Sequence, residues 1–575
     1  MNKEFLNSSY RLWLEKAAAD PDLVKELKEI ENDDEAILDR FYRELEFGTA
    51  GLRGVIGAGP NRMNYYTVRR ATQGLADYVK EKNPNPSVAI GYDSRIKSDY
   101  FSEKAAEVLA ANGIKVYLYK ELVPTPMVSY AVRRLGCDAG INVTASHNPA
   151  KYNGYKAYGA DGSQLPTEAA EEVLKKIESL DIFSDADVKY LDFKQALEKG
   201  IINYIGDDVT EGYFDEVKKQ AIHPGVCRTA GLKVVYTPLN GAGNKPVRKI
   251  LSDMGITDVI IVPEQENPDG NFPTCPYPNP EITEALALGL ELCKKEKPDL
   301  LLATDPDCDR VGIAVPDGDG YELFSGNEVG AMLLEYIARE RRALGTMPNS
   351  PVTVKSVVST TLADDIAKDY GVELIDVLTG FKNIGEQIAI LENKNEQERF
   401  IFAFEESYGY LAGTYARDKD AVVASMLICE MAAFYRSKGV SLIQARANMY
   451  KRYGAFRNSV DNFSFEGASG MEKMSKIMQG LRDNYPKEIA GIKVTAFSDY
   501  GASVKTDLVK NENSAIKMAK TNMVVFDLEG GAKVIVRPSG TEPKIKVYYT
   551  TVGKTLKDAE AIQQKLAAEV VGVFK

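Results

Sequence analysis

The stretch SVAIGYDSRIKSDYFSEKAAEVLAANGIKVYLYK (residues 87–120) decides the fold class. It predicts a short apolar strand, a polar loop, a helix that ends at Gly113, and a second apolar strand. Glycine suits the end of a helix because it adopts the left-handed conformation at low cost. A strand–helix–strand unit of this length pairs its two strands in parallel, so the stretch predicts an α/β domain.

The same pattern occurs twice more along the chain. The second copy consists of LKVVYTPLNGAG, NKPVRKILSDMG and ITDVIIVPE, and its helix ends at Gly255. The third consists of PVTVKSVVSTT, TLADDIAKDYG and VELIDVL, and its helix ends at Gly371. The sequence therefore predicts three similar βαβ-built, Rossmann-like domains.

The C-terminal segment differs from these three copies. NMVVFDL, EGG and AKVIVRPSG predict an antiparallel hairpin, KIKVYYTTV predicts another strand, and the remaining residues predict a helix. We therefore expect three α/β domains around a central cleft and a smaller C-terminal α+β domain. The expected boundaries are 1–205, 206–320, 321–452 and 453–575.

Composition excludes several classes of function. The net charge of −12 disfavours nonspecific binding to nucleic acid or to an anionic membrane. The N-terminal residues predict an amphipathic helix without a signal-type apolar core, and no apolar run is long enough to span a bilayer. The six cysteines are scattered without a C-x-x-C pair, which is typical of free thiols in a reducing cytoplasm.

In each α/β copy, one further apolar strand leads into a polar motif. AGINV leads into TASHNP (144–149), DLLLA into TDPDCDR (304–310), and RFIFAF into EESYGY (405–410). Any one of these motifs fits an ordinary turn. Because ligands collect at the carboxyl ends of parallel strands, three such turns rich in Ser, Asp and Glu indicate one shared site.

The TDPDCDR motif predicts a metal site. Asp305, Asp307 and Asp309 alternate, which places their carboxylates on one side of an extended or looped segment. Three hard oxygen ligands favour Mg²⁺ over Zn²⁺. An EF-hand is excluded because its sixth and twelfth positions need Gly and Glu, and Arg310 and Pro316 stand there. A solvated acidic turn is the alternative.

The RPSGTEPK motif predicts a phosphate site. Arg537 offers a fork of donors, Ser539 and Thr541 offer hydroxyls, and Gly540 lets main-chain N–H groups approach. A plain turn is the alternative. The chain has no Walker A sequence and no G-x-G-x-x-G, so a nucleotide ligand has little support.

Two further motifs suit a sugar ligand. EESYGY offers carboxylates and a hydroxyl to the paired hydroxyls of a polyol. LTGFKNIG adds a flexible loop in which Lys382 follows Gly380.

The TASHNP motif raises the question of what makes Ser146 reactive. His147 is not expected to act as its base, because adjacent side chains diverge on a strand or a helix, and we expect it to orient the loop or to bind a phosphate. The chain lacks a G-x-S-x-G elbow, which also disfavours a hydrolase. A phosphoryl group on Ser146 would instead carry nearly two negative charges for the aspartates and Mg²⁺ to neutralise. A phosphate donor, a phosphate anchor and a sugar site together imply a sugar-phosphate mutase.

The motifs FGTAGLRG, TASHNP, NGYK, TDPDCDR, LTGFK, FEESYG and RPSGTEPK, in this order, resemble those of the α-D-phosphohexomutase family. The chain is most similar to the longer phosphoglucomutase branch. The resemblance implies an intramolecular phosphotransferase of the isomerase class that interconverts α-D-glucose 1-phosphate and glucose 6-phosphate. It implies Mg²⁺ as cofactor and glucose 1,6-bisphosphate as intermediate and activator.

Several alternatives stay open at this point. A phosphomannomutase or a phosphopentomutase uses the same mechanism, and Phe404 stands where the family often has Gly beside the sugar motif. A phosphatase or a non-catalytic sugar-phosphate sensor belongs to another class, although a sensor would be expected to have lost Ser146 or an aspartate. The expected partners are small sugar phosphates, without nucleic acid or membrane, and the expected assembly is a monomer or homodimer.

The resemblance also implies roles for individual residues. Ser146 resembles the phosphoserine, which adds a phosphate oxygen to the metal ligands Asp305, Asp307 and Asp309. Lys156 and Arg53 resemble acid–base groups, and cationic neighbours are expected to lower the pKa of Lys156. The resemblance further implies phosphoserine contacts by Arg310, a catalytic role for His147, sugar contacts by Glu405 and Ser407, an orientation loop with Thr379, Gly380 and Lys382, and a phosphate clamp of Arg537, Ser539, Gly540 and Thr541.

Overall fold

The computed structural model describes residues 3–48, 51–465, 467–539 and 544–574. The chain divides into two compact units. The first comprises Met1–Gly326 with Phe381–Gly439, and the second comprises Asn327–Gly380 with Val440–Lys575. Within the described residues, no helix combines the length and apolar character needed to cross a membrane.

The first unit begins with three helices, α1 (Lys3–Lys16), α2 (Pro21–Glu29) and α3 (Asp34–Phe41). The Asp20 carboxylate caps α2 and the Asp33 carboxylate caps α3, because each accepts a main-chain N–H of the first helical turn. The buried ring of Trp13 makes edge-on contacts with Phe41 and with Tyr66 of the following domain. This aromatic cluster attaches the three helices to the first α/β domain.

The first α/β domain is built around a six-stranded sheet with the order β1-β5-β4-β2-β3-β6. Its elements are β1 (Leu52–Val55), α4 (Tyr65–Lys82), β2 (Ser87–Tyr92), α5 (Ser98–Ala111), β3 (Lys115–Leu118), α6 (Thr125–Leu135), β4 (Ala139–Val143), β5 (Tyr152–Gly159), α7 (Thr167–Glu178), α8 (Phe193–Glu198) and β6 (Ile202–Tyr204). Strands β4, β2, β3 and β6 are parallel, whereas β5 runs antiparallel to both β4 and β1. Strand β5 therefore returns the chain to the edge where β4 ends.

The second α/β domain has a five-stranded sheet with the order β11-β10-β9-β7-β8. Its elements are α9 (Asp207–Lys218), α10 (Val226–Ala230), β7 (Lys233–Thr237), α11 (Asn244–Asp253), β8 (Asp258–Ile261), α12 (Pro263–Glu266), α13 (Ala287–Glu296), β9 (Leu300–Thr304), β10 (Val311–Asp317) and β11 (Gly320–Phe324). Strands β9, β7 and β8 are parallel, and β10 and β11 add an antiparallel edge.

The third α/β region contains α14 (Gly326–Leu344), β12 (Val352–Ser356), α15 (Leu362–Tyr370), β13 (Glu373–Val377), α16 (Phe381–Asn393), β14 (Phe400–Glu405), β15 (Gly409–Leu411), α17 (Ala421–Ser437) and α18 (Leu442–Tyr453). In the second unit, β12 and β13 form a parallel pair. In the first unit, β14 and β15 form an antiparallel hairpin, and the largely buried helix α17 begins at its N-cap Asp420.

The C-terminal domain, which lies in the second unit, consists of β16 (Ala455–Ser464), α19 (Gly467–Asp483), β17 (Glu488–Ile489), β18 (Ile492–Asp499), β19 (Val504–Asp507), β20 (Glu512–Ala515), β21 (Val524–Leu528), β22 (Lys533–Pro538), β23 (Lys544–Gly553) and α20 (Leu556–Phe574). Its eight strands form an antiparallel sheet with the order β16-β23-β22-β21-β18-β19-β20, and β17 pairs with β18.

The predicted fold class is confirmed. Each predicted βαβ unit has a parallel strand pair: β2 with β3, β7 with β8, and β12 with β13. The glycines that end the three helices, Gly113, Gly255 and Gly371, have φ angles of 74°, 89° and 67°. The C-terminal α+β domain follows them as predicted, and the four domain boundaries stay a prediction.

Candidate active site

The TASHNP loop joins β4 to β5 and presents Ser146 in a left-handed conformation, with φ at 52°. The side chain of Thr144 accepts the main-chain N–H of Ser146 at 2.8 Å. The buried guanidinium of Arg95 donates to the main-chain carbonyls of Ser146 and Asn148. A non-glycine residue adopts this conformation only when its surroundings hold it, and these bonds supply that constraint.

The acidic loop between β9 and β10 gathers the three predicted metal ligands. Asp305, Asp307 and Asp309 are buried, and one carboxylate oxygen from each lies within 4.8 Å of the others. The main-chain N–H groups of Asp309 and Arg310 both donate to Asp305 Oδ1 at 3.0 Å. These bonds fold the loop so that the alternating carboxylates converge, as the spacing predicts.

The acidic loop and the serine loop meet directly. Ser146 Oγ donates to Asp305 Oδ2 over 3.0 Å, although the two residues are far apart in the sequence and lie in different α/β domains of the first unit. Burial, and then the charges of Asp307 and Asp309, hold the pKa of Asp305 well above its ordinary value. The predicted juxtaposition of the serine and the acidic cluster is therefore present.

Two lysines place positive charge against this cluster. Lys156 Nζ, on β5, lies 2.7 Å from Asp307 Oδ2 and 3.3 Å from Asp309 Oδ2. Lys419 Nζ lies 3.1 Å from Asp309 Oδ2 and from Asp418 Oδ1. Burial alone would raise the pKa of Asp307, but the charge and the hydrogen bond of Lys156 lower it. The cluster thus has compensating positive charge within hydrogen-bond distance.

The prediction that cationic neighbours lower the pKa of Lys156 is wrong. Burial alone would lower that pKa, but Asp307, Asp309 and Asp418 surround the ammonium group and raise it above its ordinary value. Lys419 is a cationic neighbour that shares Asp309 with Lys156, but the surrounding carboxylates dominate, because β5 runs beside β4 and carries Lys156 into the acidic loop.

The prediction that the Ser146 and His147 side chains diverge is also wrong. Ser146 Oγ and His147 Nδ1 lie 3.1 Å apart. The left-handed backbone of Ser146 breaks the alternation on which the prediction was based. Burial, followed by the nearby charges of Arg310 and Arg53, holds the pKa of His147 well below its ordinary value, so the ring is neutral at pH 7.

The two predicted arginines flank the serine loop. Arg53 lies on β1 and donates through Nη1 to Asn148 Oδ1 at 3.3 Å. The side chain of Arg310 donates through Nη1 to Glu281 Oε1 at 2.6 Å. The expected contact of Arg310 with a phosphoserine stays a prediction.

The EESYGY motif contacts the acidic loop. Glu405 ends β14 and is buried, and Ser407 follows in a half-buried turn. The main-chain N–H of Val311 donates to the carbonyl of Tyr408 at 3.1 Å, and Arg310 forms a β-bridge with Gly409. These main-chain contacts hold the predicted sugar motif beside the acidic loop.

The remaining predicted residues lie in the second unit or in the first turn of α16. Thr379 and Gly380 end one segment of the second unit, and Lys382 lies in the first turn of α16 in the first unit, where burial lowers its pKa. In the C-terminal domain, Arg537 lies on β22 and the main-chain N–H of Ser539 donates to the carbonyl of Lys544 at 2.8 Å. Gly540 and Thr541 lie outside the described residues.

Sequence reasoning missed three contributors to the site. Arg95 shapes the serine loop, Thr125 donates to Asp307 Oδ2 at 2.9 Å, and Lys419 contacts Asp309. The polar loop YDSR after β2 was the available signal for Arg95. The signal for Lys419 was the run RDKD (417–420), which places four charged residues directly before an apolar helix.

The donor set fits a hard divalent cation. Asp307 Oδ1 and Asp309 Oδ1 are buried and accept no hydrogen bond from any residue in the described part of the chain. Buried carboxylate oxygens are normally paired, so two that accept no hydrogen bond within the described residues are suited to a metal ion.

Comparisons with known proteins agree with this geometry. Family models of the phosphoglucomutase/phosphomannomutase α/β/α domains I, II and III match residues 44–182, 211–318 and 325–453, and the model of the C-terminal domain matches 491–569. A phosphoglucomutase of Staphylococcus saprophyticus is 36% identical over 97% of this chain and 99% of its own length.

Two solved structures have the same fold. The phosphoglucomutase pp63/parafusin of Paramecium, in an open form, is 17% identical with a TM-score of 0.68, over 93% of this chain and 97% of that one. An N-acetylphosphoglucosamine mutase of Aspergillus fumigatus, in complex with GlcNAc-6P and magnesium, is 14% identical with a TM-score of 0.52, over 93% of this chain and 97% of that one.

Proposed function

The chain belongs to the phosphoglucomutase/phosphomannomutase family of intramolecular phosphotransferases, and from this premise we propose that it interconverts α-D-glucose 1-phosphate and glucose 6-phosphate. The observation that carries the proposal is the contact of 3.0 Å between Ser146 Oγ and Asp305 Oδ2. A serine hydroxyl held against three buried carboxylates suits a group that carries a phosphoryl dianion beside a cation.

Mg²⁺ would be held by Asp305, Asp307 and Asp309 together with an oxygen of the phosphorylated Ser146. When bound, the cation would neutralise charge on the transferring phosphoryl group and polarise it toward attack. The two buried carboxylate oxygens without a donor in the described ranges support this assignment.

In the proposed forward reaction, phosphorylated Ser146 donates to glucose 1-phosphate. The bond from phosphorus to Ser146 Oγ breaks as a bond forms to the sugar 6-oxygen, and the proton of the 6-hydroxyl finally resides on Oγ. Glucose 1,6-bisphosphate then reverses its orientation. Its 1-phosphoryl group passes to Ser146, the serine proton passes to the sugar 1-oxygen, and glucose 6-phosphate leaves.

The residues around Ser146 suit this proton movement. His147 is neutral and contacts Oγ, so it can orient the serine and exchange its proton. Lys156 remains protonated among carboxylates, which suits it to stabilise charge on the transferring group. We assign Arg53 and Arg310 to the same phosphoryl group as positive charges that flank the loop.

The other predicted residues complete the proposed substrate contacts. Glu405 and Ser407 would bind the 3- and 4-hydroxyls, and a loop would distinguish the two orientations of the bisphosphate. The non-reacting phosphate would bind a clamp in the C-terminal domain. The loop consists of Thr379, Gly380 and Lys382, and the clamp of Arg537, Ser539, Gly540 and Thr541.

A coupled assay with glucose, mannose and ribose 1-phosphates, each with a trace of its bisphosphate, tests the proposal. We expect the highest kcat/KM with glucose 1-phosphate, and we expect Ser146→Ala to abolish turnover. Ser102→Ala is the matched control, because Ser102 is also buried but donates only to the main-chain carbonyl of Ser98 in a helix.

Three outcomes would contradict the proposal. Turnover by Ser146→Ala near the wild-type rate would exclude the covalent scheme. Release of inorganic phosphate without isomerised sugar would indicate a phosphatase. Binding of the sugar phosphate without any turnover would indicate a sensor.

A further inference from the structure

Thr125 connects the first α/β domain to a proposed metal ligand of the second. It is the first residue of α6 and is fully buried. Its main-chain N–H donates to the main-chain carbonyl of Asp307 at 2.9 Å, and its Oγ1 donates to Asp307 Oδ2 at 2.9 Å. The first bond holds the loop backbone, and the second holds the carboxylate.

A second buried residue fixes the direction of the threonine hydroxyl. Asn142 lies on β4, and its Nδ2 donates to Thr125 Oγ1 at 2.8 Å. Because Oγ1 accepts this bond, the single hydroxyl hydrogen is available for Asp307. Asn142 and Thr125 therefore form a chain of two hydrogen bonds that ends on the carboxylate.

This hydrogen-bond chain reaches one oxygen of Asp307 only. Oδ2 receives Thr125 Oγ1 and Lys156 Nζ, whereas Oδ1 accepts no hydrogen bond within the residues that the structure describes. The plane of the carboxylate is thus set from one side, which leaves the lone pairs of the other oxygen for a cation.

We propose that Thr125 is a positioning residue for the metal site, which orients the Asp307 carboxylate so that Oδ1 is presented to the cation. The inference rests on the proposed function, because it requires that Asp307 ligates Mg²⁺. Groups that hydrogen-bond to a ligating carboxylate fix its orientation, and their loss typically weakens metal affinity tenfold to a hundredfold.

The side chain can be tested without removing the main-chain contact. Thr125→Val keeps the shape of the residue and its main-chain bond to Asp307 but removes the hydroxyl, whereas Thr125→Ser keeps the hydroxyl. Thr72→Val is the matched control, since Thr72 is also fully buried but donates to the main-chain carbonyl of Val68 in α4. Mn²⁺, titrated against the full chain and followed by electron paramagnetic resonance, is the probe.

We expect Thr125→Val to weaken Mn²⁺ binding by about tenfold or more, and Thr125→Ser and Thr72→Val to change it by less than about threefold. Wild-type affinity in Thr125→Val, or equal weakening in Thr125→Ser, would overturn the inference. If Thr125→Val fails to fold, Thr125→Val/Asn142→Leu replaces it, because removing both partners leaves no buried amide hydrogen unpaired, and the same two outcomes decide.

Failure of the proposed function gives a different result. Asp307→Asn should weaken Mn²⁺ binding strongly in an otherwise wild-type chain. If the wild-type protein does not bind Mn²⁺, or if Asp307→Asn binds it as tightly as the wild type does, the proposed metal site is wrong. The positioning role of Thr125 is then wrong as well.

Discussion

Replacement of Arg95 by lysine should disable the serine loop while most of the fold persists. The Arg95 guanidinium donates through Nη1 to the carbonyls of Pro149 and Tyr152, at 3.1 Å each, and through Nη2 to those of Ser146 and Asn148. Three main-chain carbonyls of the serine loop and one at the start of β5 thus converge on one side chain. A lysine ammonium keeps the charge but lacks the planar fork, so it cannot reach carbonyls on both sides.

The size of the effect follows from these bonds. Hydrogen bonds from a charged donor contribute about 1.5–3 kcal/mol each, so the loss of about two of them removes roughly 3 kcal/mol or more from the loop. The left-handed conformation of Ser146 costs only about 1–2 kcal/mol. The loss exceeds this cost, so the constraint that holds Ser146 Oγ beside Asp305 disappears. A misplacement of about 1 Å at a reacting group lowers the rate roughly a hundredfold.

The assay measures kcat with glucose 1-phosphate and, by peptide mass spectrometry, the extent of Ser146 phosphorylation by glucose 1,6-bisphosphate. We expect Arg95→Lys to lose about a hundredfold in kcat and most of the phosphorylation. Arg69→Lys is the control, because Arg69 is equally buried but donates to Tyr65 and to Val188 away from the loop. Arg95→Lys with kcat and phosphorylation within twofold of those of Arg69→Lys would refute the reasoning.

Two further predictions concern other parts of the first unit. Burial alone would raise the pKa of Glu392, but Arg133 and Arg417 lower it. A carboxyl group whose pKa is lower in the folded protein stabilises the fold at pH values above its unfolded pKa of about 4.3. This stabilisation is lost as the pH falls through the folded pKa. Glu392→Gln should therefore melt at a lower temperature than wild type near neutral pH, and calorimetry should show that the difference shrinks below about pH 4; a difference independent of pH would contradict the ion pair. Gly154→Ala should lower turnover sharply, because an added Cβ would lie 2.5 Å from the main-chain oxygen of Thr144 at the start of the serine loop; unchanged kcat would show that the loop tolerates a shift.

Much of the fold could be predicted from local patterns. The apolar runs and the glycine that ends the helix were sufficient to predict β2, α5 and β3, because a short strand–helix–strand unit pairs its two strands in parallel. The antiparallel strands β5, β10 and β11 were not predicted, since their pairing depends on which neighbour the folded chain places beside them.

The candidate site was predictable as motifs but not as electrostatics. The spacing of Asp305, Asp307 and Asp309 was sufficient to predict that their carboxylates converge. The environment of Lys156 was not predictable in the same way, because its charged neighbours come from another domain. The contact of Ser146 with His147 depends on the positive φ angle of Ser146. A positive φ angle is hard to predict from the sequence when the residue is not glycine.

Transfer of phosphate through Ser146 is the central claim, and a single-turnover experiment tests it most directly. The enzyme is loaded with ³²P from labelled glucose 1,6-bisphosphate, mixed rapidly with unlabelled glucose 1-phosphate, quenched and digested. We predict that the label is on the peptide that contains Ser146 and leaves it for sugar phosphate at least as fast as kcat. Label on another residue, or label that stays on Ser146 while glucose 6-phosphate accumulates, would contradict the claim.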